Sequence, residues 1–196
     1  MMWETALEYV SSLRSDAEEW AEGRSAPLRL PLLAYLLYAG IRHLLDPMYR
    51  SWFAGITLVF HEMGHIVFAW FGRTITILGG SIMQLLMPAA AALYLLLRQR
   101  DFFGFAVGGA WFSYSLWEMA TYMADANKEA LPLVGFSDHP EHDWGTLLTQ
   151  WHLLNWCDTF ATVVRVLASL AWGSSMLLGG WLCWRMWRNR QTDPIG

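Results

Sequence analysis

The sequence predicts an all-α fold: a polytopic helical membrane protein of about five transmembrane helices, preceded by an N-terminal amphipathic helix. Three observations carry this. Of 196 residues, 55% are hydrophobic and 15% charged, with a mean hydropathy of +0.27, whereas soluble domains carry about a quarter charged residues. Apolar stretches approaching or reaching the length of a hydrocarbon core recur between polar breaks. Thirteen tryptophans suit rings placed at membrane interfaces. The net charge of −4 gives no footing for nucleic acid as a partner. Cys157 and Cys183 have no paired spacing, which argues against a disulfide framework or a thiolate metal site.

The first 26 residues read as the amphipathic helix. Trp3, Leu7, Val10, Leu13, Ala17 and Trp20 recur at steps of three and four, and Glu4, Glu8, Asp16, Glu18, Glu19 and Glu22 occupy the opposite face. An acidic face is not drawn to anionic lipid, so this helix either lies on the membrane or covers part of the protein. The acidic residues also leave no apolar core of the signal-peptide type, so insertion is expected to depend on the spans themselves.

Residues 27–186 form the expected membrane domain. Pro27 and Pro31 open a first span, Leu28 to Leu45, which Asp46-Pro47 ends. The second span runs from Trp52 to Phe71, the third from Thr76 to Leu97 and the fourth from Phe102 to Ala124. A polar segment follows, Asp125 to Asp158, and then a last span, Phe160 to Met186, before a tail of residues 187–196. With five spans, Arg42, Arg50, Arg98, Arg100, Arg185, Arg188 and Arg190 gather on one side. Arg14, Arg24, Arg29, Arg73 and Lys128 gather on the other, and the balance favours a cytoplasmic C-terminus.

The second span holds His61-Glu62-Met63-Gly64-His65. Four residues apart on a helix, the two histidines share a face and can hold one Zn²⁺, with Glu62 beside them as a candidate general base. Ionisable groups at membrane depth are costly unless they face the protein interior and have partners, and a metal repays that cost. A catalytic zinc takes three protein ligands. The third is sought in Ser137-Asp138-His139-Pro140-Glu141-His142-Asp143, where Asp143 and His142 stand ahead of His139. Whichever of the pair does not bind could orient a ligand instead.

On the third span, Pro88 deprives the Gln84 carbonyl of its helical partner. The freed carbonyl and the Gln84 amide could hold an extended peptide; an ordinary proline kink beside a glycine packing seam is the alternative. Glu118 and Asp125 share a face of the fourth helix. Asp125 is the better candidate to support the metal site, and Glu118 is expected to bond to an arginine or to backbone groups. His43, His152, Asp158 and Arg165 read as interface residues.

The intramembrane HExxH, the glycine-rich helix with its proline and the later Asp143-Trp144-Gly145 resemble the site-2 protease class of membrane zinc metallopeptidases. The resemblance implies His61, His65 and Asp143 as zinc ligands and Glu62 as the group that activates water. It also implies Gln84 and Pro88 in place of an Asn-Pro substrate-positioning segment. The chain departs from the class in carrying glutamine for asparagine, and His142-Asp143-Trp144-Gly145 in a polar stretch where the class has Leu-Asp-Gly on an apolar helix. Over residues 55 to 155, Tyr122-Met123-Ala124-Asp125-Ala126, Leu131-Pro132-Leu133 and the His-Asp-Trp step are similar to a group of small bacterial membrane proteins with a peptidase-like motif.

The expected function is therefore a Zn²⁺-dependent peptidase of the bacterial inner membrane. Its partners would be membrane lipid and a membrane-associated peptide or protein. Two rivals stand beside it. One is a non-catalytic metal-binding membrane protein, such as a chaperone or complex subunit. The other is a di-metal oxidase or desaturase, suggested by His61-x₃-His65 and His139-x₂-His142 but needing about eight histidines where the chain has six.

Overall fold

A computed structural model describes residues 2–133 and 141–192, with residues 2–7, 9, 10 and 192 described by backbone alone. Among the described residues the chain is all-helical. Helix α1 spans Met2–Ala21, α2 Leu30–Leu45, α3 Ala54–Val67, α4 Arg73–Leu97, α5 Phe102–Asp125, α6 Asp143–Gln150 and α7 Cys157–Thr192. Short 3₁₀ turns, Ala69–Phe71 and Leu154–Trp156, follow α3 and precede α7. The expected C-terminal tail is helical through Thr192.

The element boundaries follow local chemistry. Pro31 sits in the first turn of α2, where its missing amide costs nothing. Gly72, at φ 87°, turns the chain between the 3₁₀ turn and α4, a conformation that favours glycine. The Asp101 carboxylate caps α5 by accepting the Gly104 amide at 2.9 Å.

α5 is the central helix, packed along most of its length against α7 and α4, with α2 closing one side. Its core partners include Leu36 and Ala39 of α2 and Ala161 and Ala168 of α7. The Tyr114 hydroxyl and the Trp172 indole both donate to the Leu36 carbonyl, at 2.6 and 3.2 Å. α3 and α4 form an antiparallel pair whose contact is made of glycine. A Cβ on Gly64 would lie 2.1 Å from the Gly79 carbonyl oxygen, and one on Gly79 would lie 2.6 Å from that of Gly64. Only hydrogen fits there, so the glycine of the HExxH motif is what brings α4 against the motif's own helix.

Of the alternatives for α1, the structure has it covering the protein. Ala17 and Ala21 are buried against Phe102, Phe103, Leu182 and Met186, and Asp16 and Glu18 pair with Arg100 and Arg185. The side chains of Trp3, Glu4, Leu7 and Val10 lie outside the described residues.

The expected five spans are not reached. Among the described residues two helices are long and apolar enough to cross a membrane, Arg73–Leu97 and the run Leu154–Gln191. α2 has 16 residues and α3 has 14, about 24 and 21 Å at helical rise, short of a hydrocarbon core of about 30 Å. α5 has the length, at 24 residues, but carries Ser113, Tyr114, Ser115 and Glu118 through its middle. Neighbouring helices, rather than its own composition, meet the needs of that central helix.

Candidate metal centre

The second half of α3, the first half of α4, the second half of α5 and the N-terminus of α6 converge on one point. The helical spacing turns His61 and His65 to the same side of α3, against Gly79 and Gly80 of α4. A Cβ on Gly80 would stand 2.7 Å from His65 Nε2 and 2.8 Å from His61 Nε2. Gly80 thus holds open the space in front of both imidazoles. Gly80→Ala is expected to push the rings apart and weaken metal binding by about tenfold or more, with helix content unchanged. Chelator competition beside circular dichroism checks both halves.

Each imidazole is fixed by a partner behind it. The Gln84 side chain lies between His61 Nδ1, 3.0 Å from its Oε1, and the Ser115 carbonyl, to which its Nε2 donates at 2.9 Å. A carbonyl only accepts, so the amide orientation is set and His61 Nδ1 must be the donor to Oε1. His65 Nδ1 lies 3.0 Å from the Thr76 carbonyl, and by the same reasoning it donates. With Nδ1 donating, each ring in its neutral form presents the Nε2 lone pair forward.

Those lone pairs meet the Asp143 carboxylate. Oδ2 of Asp143 is 3.0 Å from His61 Nε2 and 3.4 Å from His65 Nε2, and the two Nε2 atoms are 3.2 Å apart. Three acceptors at such distances repel unless a cation lies among them. Metal–ligand distances of about 2.0–2.1 Å imply tetrahedral edges of about 3.3–3.4 Å, close to all three separations. His61, His65 and Asp143 could hold a metal ion, and the donors, two imidazoles and one carboxylate, suit Zn²⁺. Burial pushes the Asp143 carboxyl up and its closeness to the two imidazoles pulls it down, leaving the group below the ordinary aspartate range.

Asp143 is placed by α6, a helix the sequence reading did not anticipate in the polar segment. Its first residue is Asp143, where the helix dipole favours a carboxylate. Leu147 and Leu148 are buried beneath it, and the Asp143 amide donates to the Tyr122 hydroxyl at 3.0 Å. At the other margin Thr74 of α4 bonds to Gln150, and Arg73 pairs with Glu141.

His142 does not join the group. Its Nδ1 caps α6 by accepting the Gly145 amide at 3.0 Å, and its ring lies against Tyr122, with centroids 4.1 Å apart. Burial lowers its pKa against the opposing pull of Asp125, Glu129 and Asp143, so the ring is neutral and Nε2 carries the proton. That buried Nε2 has no hydrogen-bond partner among the described residues; Asp125 Oδ2 is 3.6 Å away, beyond bonding reach. Asp125 itself accepts the amides of Ala130 and Leu131 at 3.1 and 2.9 Å and so organises the turn after α5. His139 lies outside the described residues.

Gln84 orients His61, and both ends of its amide are engaged, so its side chain is not free to hold a peptide. Gln84→Leu removes the acceptor behind His61 and is expected to lower metal affinity roughly 10- to 100-fold, measured by zinc titration against a competing chelator. Pro88, one turn on, is fully buried and does not line the adjoining cavity.

That cavity, of about 130 Å³, is lined by His61, Glu62, Gln84, Glu118 and Tyr122, with the turns at Met48–Arg50 and Leu131–Leu133 at its rim. Glu62 makes no hydrogen bond among the described residues, so its carboxylate is free to act on what enters. Tyr122, with its hydroxyl on the Asp143 amide, and Gly80 stand at the site in places that sequence reasoning did not assign. Tyr122 entered it only within the stretch that resembles small bacterial membrane proteins, and Gly80 only within the glycine-rich start of its helix. No protein-family model, no curated protein and no solved structure matches the chain.

Proposed function

We propose that the chain is a membrane-embedded, zinc-dependent peptidase acting on membrane-associated peptides. The observation that carries the reading is the convergence of ligand atoms from His61, His65 and Asp143, which could hold a metal ion, beside a cavity lined by His61 and Glu62. Zinc bound there would lower the pKa of a bound water toward neutrality and polarise a peptide carbonyl. Glu62 would accept a proton from that water and return it to the leaving amine. Gln84 and the Thr76 carbonyl keep the imidazoles turned forward. Tyr122 holds the Asp143 backbone, and with it the carboxylate, against α5. The grouping of described metal donors into one three-residue set favours one ion and hydrolysis over a di-metal oxidase.

The membrane part of the reading rests on the surface. The apolar windows of α4 and of the helix ending at Gln191 are only 28% and 17% buried, unlike the core helices of a soluble protein. Leu170, Leu177, Val163, Val166, Leu86, Leu93 and Leu97 are exposed along them, with Trp52 and Trp70 near the ends of the α3 region. Apolar surface of that extent marks an interaction with lipid or another protein. Close glycine contacts between helices are also frequent in bilayers, where backbones pack directly. α2, α3 and α5 pack against these two helices. The arginines near the end of α7 favour a cytoplasmic C-terminus, in keeping with a bacterial inner membrane.

The test is zinc removal and return. Membranes containing the protein should yield new peptide termini that disappear with a chelator and reappear with zinc. Cleavage unaffected by complete metal removal would exclude the reading.

A further inference from the structure

The Glu118 carboxylate stands at the wall of the same cavity. Its buried Oε1 makes no hydrogen bond among the described residues, a state that burial renders costly. It lies on the stripe of α5 that also carries Ser115 and Tyr122, three residues after the first and four before the second. At helical rise those are steps of about 4.5 and 6 Å. Ser115 supports Gln84 behind His61, and Tyr122 supports Asp143, so Glu118 stands between the two anchors of the metal group. Arg50 lines the cavity too and its charge acts on Glu118, but it is exposed and no direct ion pair joins the two among the described residues.

We propose that Glu118 is a recognition group for a cation carried by the substrate, an ammonium or guanidinium entering the cavity beside the metal group. The proposal rests on the peptidase reading and deepens it by naming a substrate class: a peptide that brings a positive charge close to the bond to be cut. A buried carboxylate receives such a cation by charge-assisted hydrogen bonds, and a substrate lacking it leaves the carboxylate unpaired. The cation has two sources, a peptide's N-terminal ammonium or a basic side chain.

The test is binding, which needs no turnover. Zinc-loaded protein carrying Glu62→Gln, held in lipid nanodiscs, is titrated with four ten-residue apolar peptides. These carry lysine or norleucine at the centre, each with a free or acetylated N-terminus. The peptide bearing neither charge should bind about tenfold more weakly than the best charged one, and the arm that matters identifies the source of the cation. Adding Glu118→Gln should abolish the difference while metal stoichiometry is unchanged. Equal binding of charged and uncharged peptides, a comparison that needs no Glu118 variant, overturns the recognition role and leaves the peptidase reading standing. So does a charge preference that survives Glu118→Gln. Failure of the metal-loaded protein to bind any of the four overturns both.

Discussion

Glu62→Gln is expected to leave the bound metal in place and to lower peptide cleavage by about two to four orders of magnitude. The side chain lines the cavity at the metal group but supplies none of its three ligand atoms. Glutamine has nearly the same shape and can still hydrogen-bond to water, but it cannot accept a proton. Loss of activity with metal retained therefore separates proton transfer from folding and from coordination. The comparison is made in membranes expressing either form at equal level, reading new peptide termini by mass spectrometry. A variant that cuts as fast as the parent would remove Glu62 from the mechanism; a variant that loses its metal would make it a structural residue.

The second large effect is a contrast between neighbours. Asp143→Ala is expected to weaken metal binding by more than about a hundredfold, since losing a ligand costs more than losing a group behind one. His142→Ala is expected to leave a full equivalent of metal bound and to destabilise the fold by about 1 kcal/mol through loss of a helix cap. The reason lies in α6. His142 is the capping residue, its Nδ1 committed to the Gly145 amide, while Asp143 begins the helix and aims at the two imidazoles. Zinc titration with a competing chelator, run beside thermal unfolding, reads both. The opposite pattern, metal lost with His142 and kept without Asp143, would mean that α6 begins elsewhere.

This contrast also marks how far the sequence was legible. The spacing of His61 and His65 put two donors on one face with no further information, because helical periodicity is local. Choosing between His142 and Asp143 depended on where a helix starts, and the polar segment offered no apolar repeat long enough to announce α6. Gln84 was legible as a polar group at the right depth, but its task was not, since its partners His61 and Ser115 lie 23 and 31 residues away in sequence. Gly80 was visible only as part of a glycine-rich start, because the space a missing Cβ leaves is defined by the facing helix. The helix boundaries between residues 30 and 125 lie within a few residues of the expected spans, whose first was bounded by Pro27, Pro31 and Asp46-Pro47. The number of spans was not legible from hydropathy, since α5 is central and several of its polar side chains are met by neighbours: the Tyr114 hydroxyl donates to the Leu36 carbonyl, and Ser115 Oγ lies 3.5 Å from Thr57 Oγ1.

The central claim is that one cation is held by His61, His65 and Asp143. Its most direct test is elemental analysis of protein purified without added chelator, with the His61→Ala form prepared in parallel. One equivalent of zinc per chain in the parent, falling to a small fraction in His61→Ala, is the expected result. A metal-free parent that takes up no zinc on titration, or a full equivalent retained in His61→Ala, would contradict it.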